Sequence, residues 1–366
     1  MFRGLANWAI FLDHIPNNAI AWLTTRNFGF SDAAELFVFI SGYTATIVYA
    51  RRMKAQGFIA TSALMFGRVW QIYAAYVLLF MFYTAAIGYA AYAYARPQLL
   101  DDFNVRIVFE RPVETIQRAL LLQFEPLNLD VLPLYVVLMA AFPPVLWALT
   151  KRPGLVLAAS CSLYVVSRLS GWNVPEYPSG TWYFNPLAWQ LLFVIGGWVA
   201  AGGAVGFERV WRSRTGLIVA AIYLVTALLL TLAVRLVPAL TQLSSLIPTD
   251  KTNLSAFRIL HFLALMVVAV NIMPVNWAVL RSSYMRPLVL CGQKSLDVFC
   301  VGVFLSFLAH LLIELEPTSL IFKMAVSAGG IAVMTGVAYY KAWTEKLRSV
   351  DRTQLVRVQR APDRVR

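Results

Sequence analysis

Charge is scarce in this chain. Only 13% of its 366 residues are Asp, Glu, Lys or Arg, acids are outnumbered by bases (18 against 31), and there are three histidines and three cysteines. Each shortage excludes something. Cys161, Cys291 and Cys300 are far apart and set in apolar stretches, which argues against a disulfide framework or a zinc site and leaves them as small buried hydrophobes. No repeat or low-complexity tract breaks the chain, and its apolar runs are continuous rather than alternating, so a transmembrane β-barrel is excluded.

What is abundant is apolar surface: 60% of the residues are hydrophobic and the mean hydropathy is +0.66. A soluble domain of this size cannot bury so much. The composition predicts an all-α polytopic membrane protein, because a helix needs about 20 apolar residues to cross a hydrocarbon core of about 30 Å. Ten such stretches are predicted, over residues 3–23, 33–50, 69–93, 131–149, 154–170, 184–203, 216–236, 255–274, 287–312 and 320–341. Residues 1–341 then form one transmembrane domain, followed by a basic tail over 342–366. The longer connections are 94–130, amphipathic and rich in Arg and Glu, and 171–183 and 237–254, both punctuated by Pro, Gly or Ser. A cleaved signal peptide is disfavoured, since Asp13 and His14 interrupt its apolar region before the small residues at Ala19 to Ala21.

Basic residues set the expected orientation. With the N-terminus inside, Arg51, Arg52, Lys54, Lys151, Arg152, Arg209, Arg212, Arg214, Arg281, Arg286 and the tail all fall on the cytoplasmic side, while Asp32, Glu125, Asp130, Glu176 and most other acids fall outside. Both termini are then cytoplasmic. The net charge of +13 is a topology signal, so nucleic acid is not needed as a partner; the tail is expected to lie on anionic lipid.

Ionisable residues at membrane depth are costly and therefore candidates for function. At 1.5 Å per residue, His14 lies roughly 16 Å beyond Arg3, near the midplane. Asp32 and Glu35 have the spacing of a capping box at the start of the second span. Ser41 and Gly42 are expected level with His14, with glycine allowing close approach of a helix or ligand. Asp297, with Gln293 and Lys294 one turn below it, and Arg258 with His261 on one helix face complete a predicted polar chamber. Plainer readings stand beside these: Lys294 and Asp297 as a self-neutralising pair, Arg258 snorkelling to the surface, His261 as a packing residue, His310 as interfacial. His14 suits general-base chemistry, since a neutral imidazole accepts a hydroxyl proton. Asp13, its neighbour, points about 100° away around the helix and is poorly placed to orient it; Asp297 is the alternative orienter.

The ten-residue separation of Arg3 and His14, the Ser41-Gly42-Tyr43 step, and Arg68 followed by Ile72 and Tyr73 resemble the membrane acyltransferase family 3 superfamily. The strings LDHIPNN, TTRNFGFSDAAELFVFISGY, NPLAWQLLFVIGGW, RILHFLAL and CGQKSLDVFCVGV resemble more narrowly the OpgC family, which succinylates osmoregulated periplasmic glucans. The resemblance implies a multi-pass O-acyltransferase of the bacterial inner membrane, with an acyl-CoA donor (succinyl-CoA foremost), a periplasmic glucan acceptor and no metal. It also implies coenzyme phosphates at Arg3 and Arg68, whose rival reading is as positive-inside anchors. A succinyl carboxylate would then need a cation, with Arg258 and Lys294 as candidates. Trp172, Tyr177, Trp182, Tyr183 and Trp189 offer faces for sugar rings, unless they are an ordinary interfacial belt. Two alternatives stay open: another envelope acceptor such as lipopolysaccharide, or a transporter or flippase for a sugar or anion. A homo-oligomer is compatible with the sequence, which does not decide the point.

Overall fold

A computed structural model describes residues 1–237, 240, 242, 249–273 and 277–359. Half of the 237–254 connection, and Arg360, Arg364 and Arg366 of the tail, therefore lie outside the described residues. The helices are α1 (Phe2–Asp13), α2 (Ala33–Ala93), α3 (Leu99–Asp102), α4 (Arg106–Glu110), α5 (Pro112–Leu120), α6 (Val131–Lys151) and α7 (Pro153–Ser170). After these come α8 (Pro186–Ala200), α9 (Glu208–Trp211), α10 (Arg214–Leu236), α11 (Ala256–Ile272), α12 (Arg286–Gln293), α13 (Ser295–Leu315) and α14 (Leu320–Gln359). Among the described residues there is no strand, only an isolated bridge between Pro175 and Thr181.

This is a helical membrane protein. Among the described residues, six helices (α2, α6, α7, α10, α13 and α14) are long and apolar enough to cross a membrane, or seven if α8 is joined to the segment Val205–Trp211, bent from it by 86°. The outer faces of α7, α10 and α14 demand lipid: their most apolar windows are only 11 to 17% buried inside the protein, with Val219, Ile222 and Leu229 exposed along α10. Apolar faces of that extent are not left to water.

Each of the ten predicted stretches contains helix among the described residues, but only the six or seven helices above have the length and apolarity of a span, and the boundaries need three corrections. The stretch 3–23 is not one helix. α1 stops at Asp13, because Pro16 disfavours helical backbone at Ile15 and Asn17 turns into the left-handed region (φ 56°); a short 3-10 segment at Ala19–Leu23 follows, capped by the Asn18 side chain. Twelve residues span only about 18 Å. Second, the 51–68 connection is itself helical, so that 33–50 and 69–93 are arms of a single α2 broken at Gly57 (φ 81°, ψ 177°), a conformation that favours glycine. Third, 287–312 is divided between α12 and α13 at Lys294. α14 runs on to Gln359 without a break at 341.

Two close approaches lock the bundle. A side chain on Gly42 of α2 would meet the carbonyl oxygen of Phe193 on α8 at 1.9 Å, and one on Gly196 would meet that of Phe39 at 2.1 Å; small residues let the two backbones touch. α1 presses on α12 in the same way, through Gly4 against Leu288 and Gly292. Around these seams pack Phe37, Tyr76, Tyr83, Phe103, Phe142, Trp189, Phe193 and Phe307, all at most 5% exposed.

Candidate active site

The end of α1 opens into a cavity of about 810 Å³. It is lined by Asp13, His14, Arg26, Asp32, Arg235, Lys251 and Arg258 and by Asn104, Glu125, Asn128, Asp130 and Glu176, together with Phe30, Tyr183 and Phe184. The 94–130 connection is thus a wall of the cavity, anchored by Leu99, Phe103, Val105, Phe124 and Leu129 in the core. His14 is placed by the helix terminus: its backbone N–H closes the last turn onto Ile10 and its ring meets the cavity, with Nδ1 lacking a hydrogen-bond partner among the described residues.

Asp13 does not orient His14. Its Oδ1 accepts from the Thr24 hydroxyl at 2.6 Å, and its carbonyl accepts from Arg26 Nη1 at 3.0 Å, so Asp13 pins the turn after α1. Asp297 does not reach the ring either. Asn7 of α1 lies beside the Cys291 and Ser295 carbonyls and Phe11 lies beside Gly302, which leaves Asp297 about 10 Å short of His14 along the helices. Asp297 instead pairs with Lys341 at 2.7 Å. Lys294 pairs with Glu345, not with Asp297, and Gln293 is exposed; all three lie away from the cavity.

Ser41 and Gly42 also sit at a different level from the one expected. Ser41 Oγ accepts from Arg3 at 2.9 Å and lies 2.6 Å from the Tyr135 hydroxyl, while Arg3 stacks on Phe37 at 5.4 Å. Ser41 is therefore level with the start of α1, and it is Asp32 that reaches the cavity beside His14. The reason is the short α1, which slides the second helix along it. Gly42 is occupied with Phe193, so it serves helix packing. The charge of Arg68 acts on Arg3, so the structure brings the two expected coenzyme ligands together at the far end of α1 from His14.

Arg258 is not snorkelling. It is 8% exposed and bonds Glu35 at 2.6 Å and Asp32 at 3.1 Å, while Lys251 adds a third contact to Asp32 at 2.7 Å. The predicted capping box at Asp32 and Glu35 is present. His261, one turn further on, is tied to the loop before α2: its Nδ1 receives the Ser31 backbone N–H at 3.3 Å and lies 2.7 Å from its hydroxyl. It packs rather than lining the cavity. Trp182 and Trp189 are 3% and 0% exposed, which removes them as sugar platforms. Trp189 has another task, donating from Nε1 to the carbonyls of Lys251 at 3.0 Å and Thr252 at 3.2 Å and so fixing the loop that carries Lys251. Phe30, Tyr183 and Phe184 are aromatics of the cavity lining, and of these Tyr183 has an exposed ring whereas Phe184 is as buried as Trp182.

The acidic part of the lining differs in chemistry from His14. Burial pushes the Glu125 carboxyl well above its ordinary range, reinforced by Asp130 and Glu176. Burial likewise raises Asp130 to about 6 and Glu176 to about 7. Carboxyl groups partly neutral near pH 7 both donate and accept hydrogen bonds, and together with Asn104 and Asn128 they make a surface suited to hydroxyl-rich ligands. Among the described residues no group of three His, Cys, Asp or Glu is placed to hold a metal ion.

A family model described as OpgC protein matches residues 1–346. The chain belongs to the OpgC family. Neither a curated protein nor a solved structure matches it. Family membership points to a transferase. The residues that sequence reasoning missed in this OpgC-family site are Arg26, Lys251, Glu125, Asp130 and Glu176. One signal was available for Lys251 and Asp32: a buried Arg258 requires counter-charges, and Asp32 and Glu35 sit at a membrane edge with none assigned.

Proposed function

We propose that this protein is an inner-membrane O-acyltransferase that moves a succinyl group from cytoplasmic succinyl-CoA to hydroxyls of periplasmic glucans, within the wider acyltransferase family 3. One observation carries the reading: His14, the one histidine on the cavity wall, has an unpartnered ring nitrogen in a cavity that Asn104, Asn128, Glu125, Asp130 and Glu176 also line. In this reading the ends of the chain face the cytoplasm. Arg3 and Arg68 then lie on the coenzyme side, about 16 Å of helix below His14, where guanidinium groups can take phosphates.

The chemistry follows from the arrangement. An acceptor hydroxyl enters from the outer side, against Asn104, Asn128 and Tyr183. His14 removes its proton as the oxygen attacks the thioester carbonyl; the C–S bond breaks, and the imidazolium returns the proton to the departing thiolate. Atoms and charge balance without a metal or redox partner.

The test is mass spectrometry of periplasmic glucans from wild-type, deletion and His14→Ala strains, with protein levels matched. General-base removal costs about 10²- to 10⁴-fold, so the variant strain is expected to accumulate neutral glucans like the deletion. Normally substituted anionic glucans from a well-expressed His14→Ala strain would sink the proposal.

A further inference from the structure

Four cations line the cavity, and they are not equivalent. Lys251 and Arg258 are matched by Asp32 and Glu35, two positive charges against two negative. Arg26 and Arg235 form no ion pair within 4 Å among the described residues. Arg26 donates to the Asp13 carbonyl at 3.0 Å. Arg235 donates to the Asn27 side chain and to the Arg26 carbonyl at 3.2 Å, with its guanidinium over Trp22 at 5.7 Å. All of these partners are neutral oxygens or a ring. Each guanidinium carries five N–H groups, so both have donors to spare.

Their placement is the second part of the argument. The Asp13 side chain holds the Thr24 hydroxyl while its carbonyl holds Arg26, and this fixes Arg26 beside the residue that follows, His14. Arg235 reaches the same place from the end of α10. The Arg26 and Arg235 charges act on one another and share a single nearby carboxylate, that of Asp13, so two positive charges meet one negative and a further anion between them is favoured.

We propose that Arg26 and Arg235 form the subsite for the free carboxylate of a dicarboxylic acyl group, held there while its thioester carbonyl lies at His14. This rests on the acyltransferase reading and adds to it the residues that select a charged acyl chain over a neutral one. It also moves that task away from Arg258 and Lys294, both of which are already paired.

The experiment uses purified full-length protein with succinyl-CoA and butyryl-CoA, which are similar in length and differ in the terminal charge. The wild type is expected to favour succinyl-CoA in kcat/KM. Arg26→Gln and Arg235→Gln are each expected to lower that ratio at least about tenfold, as for loss of a charge-assisted hydrogen bond, the ratio between the two donors and not the absolute rate being the readout. Arg26→Lys, which keeps the charge, should retain part of the preference. A wild type that transfers both donors equally overturns the subsite without any variant. So do variants that transfer acyl groups with the preference unchanged, or that lose only inhibition by added succinylated glucan, since that would place the carboxylate of the product, not of the donor, at the pair. A wild type that transfers no acyl group from either donor refutes the acyltransferase reading itself.

Discussion

Replacing Arg258 with methionine removes one of two cations from the most buried ion cluster among the described residues. Glu35, whose side chain is 0% exposed, would keep only the Asp32 backbone N–H at 2.8 Å. Asp32 would be less affected, because Lys251 still bonds it at 2.7 Å. Breaking a buried pair by deleting one partner costs about 3–5 kcal/mol, since an uncompensated charge stays behind, whereas replacing both partners with neutral groups is often close to neutral. The expected loss for Arg258→Met is therefore about 3–5 kcal/mol. The double variant Glu35→Gln with Arg258→Met should recover more than half of it. Denaturant unfolding of the purified protein in mild detergent, followed by tryptophan fluorescence, measures both, with Trp189 reporting on the loop above the cluster. Arg258→Met within about 1 kcal/mol of wild type, or a double variant no better than the single, would refute the reasoning that Glu35 depends on Arg258.

Two further outcomes are expected. Glu176, raised to about 7 by burial and by Asp130, favours its protonated form in the folded state; its contribution to stability is full below the ordinary carboxyl range and is lost as pH rises through about 7. Thermal unfolding between pH 4.5 and 8 should therefore show a smaller fall for Glu176→Gln than for wild type, and equal falls would count against it. Gly42→Ala should destabilise the protein by about 1–3 kcal/mol, because the added carbon would stand 1.9 Å from the Phe193 carbonyl; an unchanged melting temperature would mean that α2 and α8 are not locked there.

Much of the helical content was legible because hydropathy is a local property: each apolar stretch must become helix in lipid, whatever its neighbours do. The boundaries were less so. Pro16 and Asn17 sit in the stretch 3–23 in plain view, but the apolar residues on either side mask the break. At Gly57 the reverse holds, since polar residues from Arg51 onward look like a loop and nevertheless continue the helix. His14 was legible too, as a histidine in an oily stretch with an arginine ten residues before it.

The partners of these residues were not legible. Sequence by itself determined that this is a membrane protein built of helices, that α2 begins on a capping box, and that His14 and Arg258 would carry a cost if left alone at depth. Only the tertiary structure decided that Arg258 meets Asp32 and Glu35, that Asp297 goes to Lys341 and Lys294 to Glu345, and that residues 94–130 and 171–183 bring Glu125, Asp130 and Glu176 into the cavity that His14 lines. The physical reason is that periodicity and hydropathy report which face of a segment avoids water, whereas pairing of buried charges depends on relative depth and rotation of helices far apart in the chain. A helix that ends at Asp13 rather than Leu23 shifts that depth by several turns, and with it the identity of every group that His14 can meet.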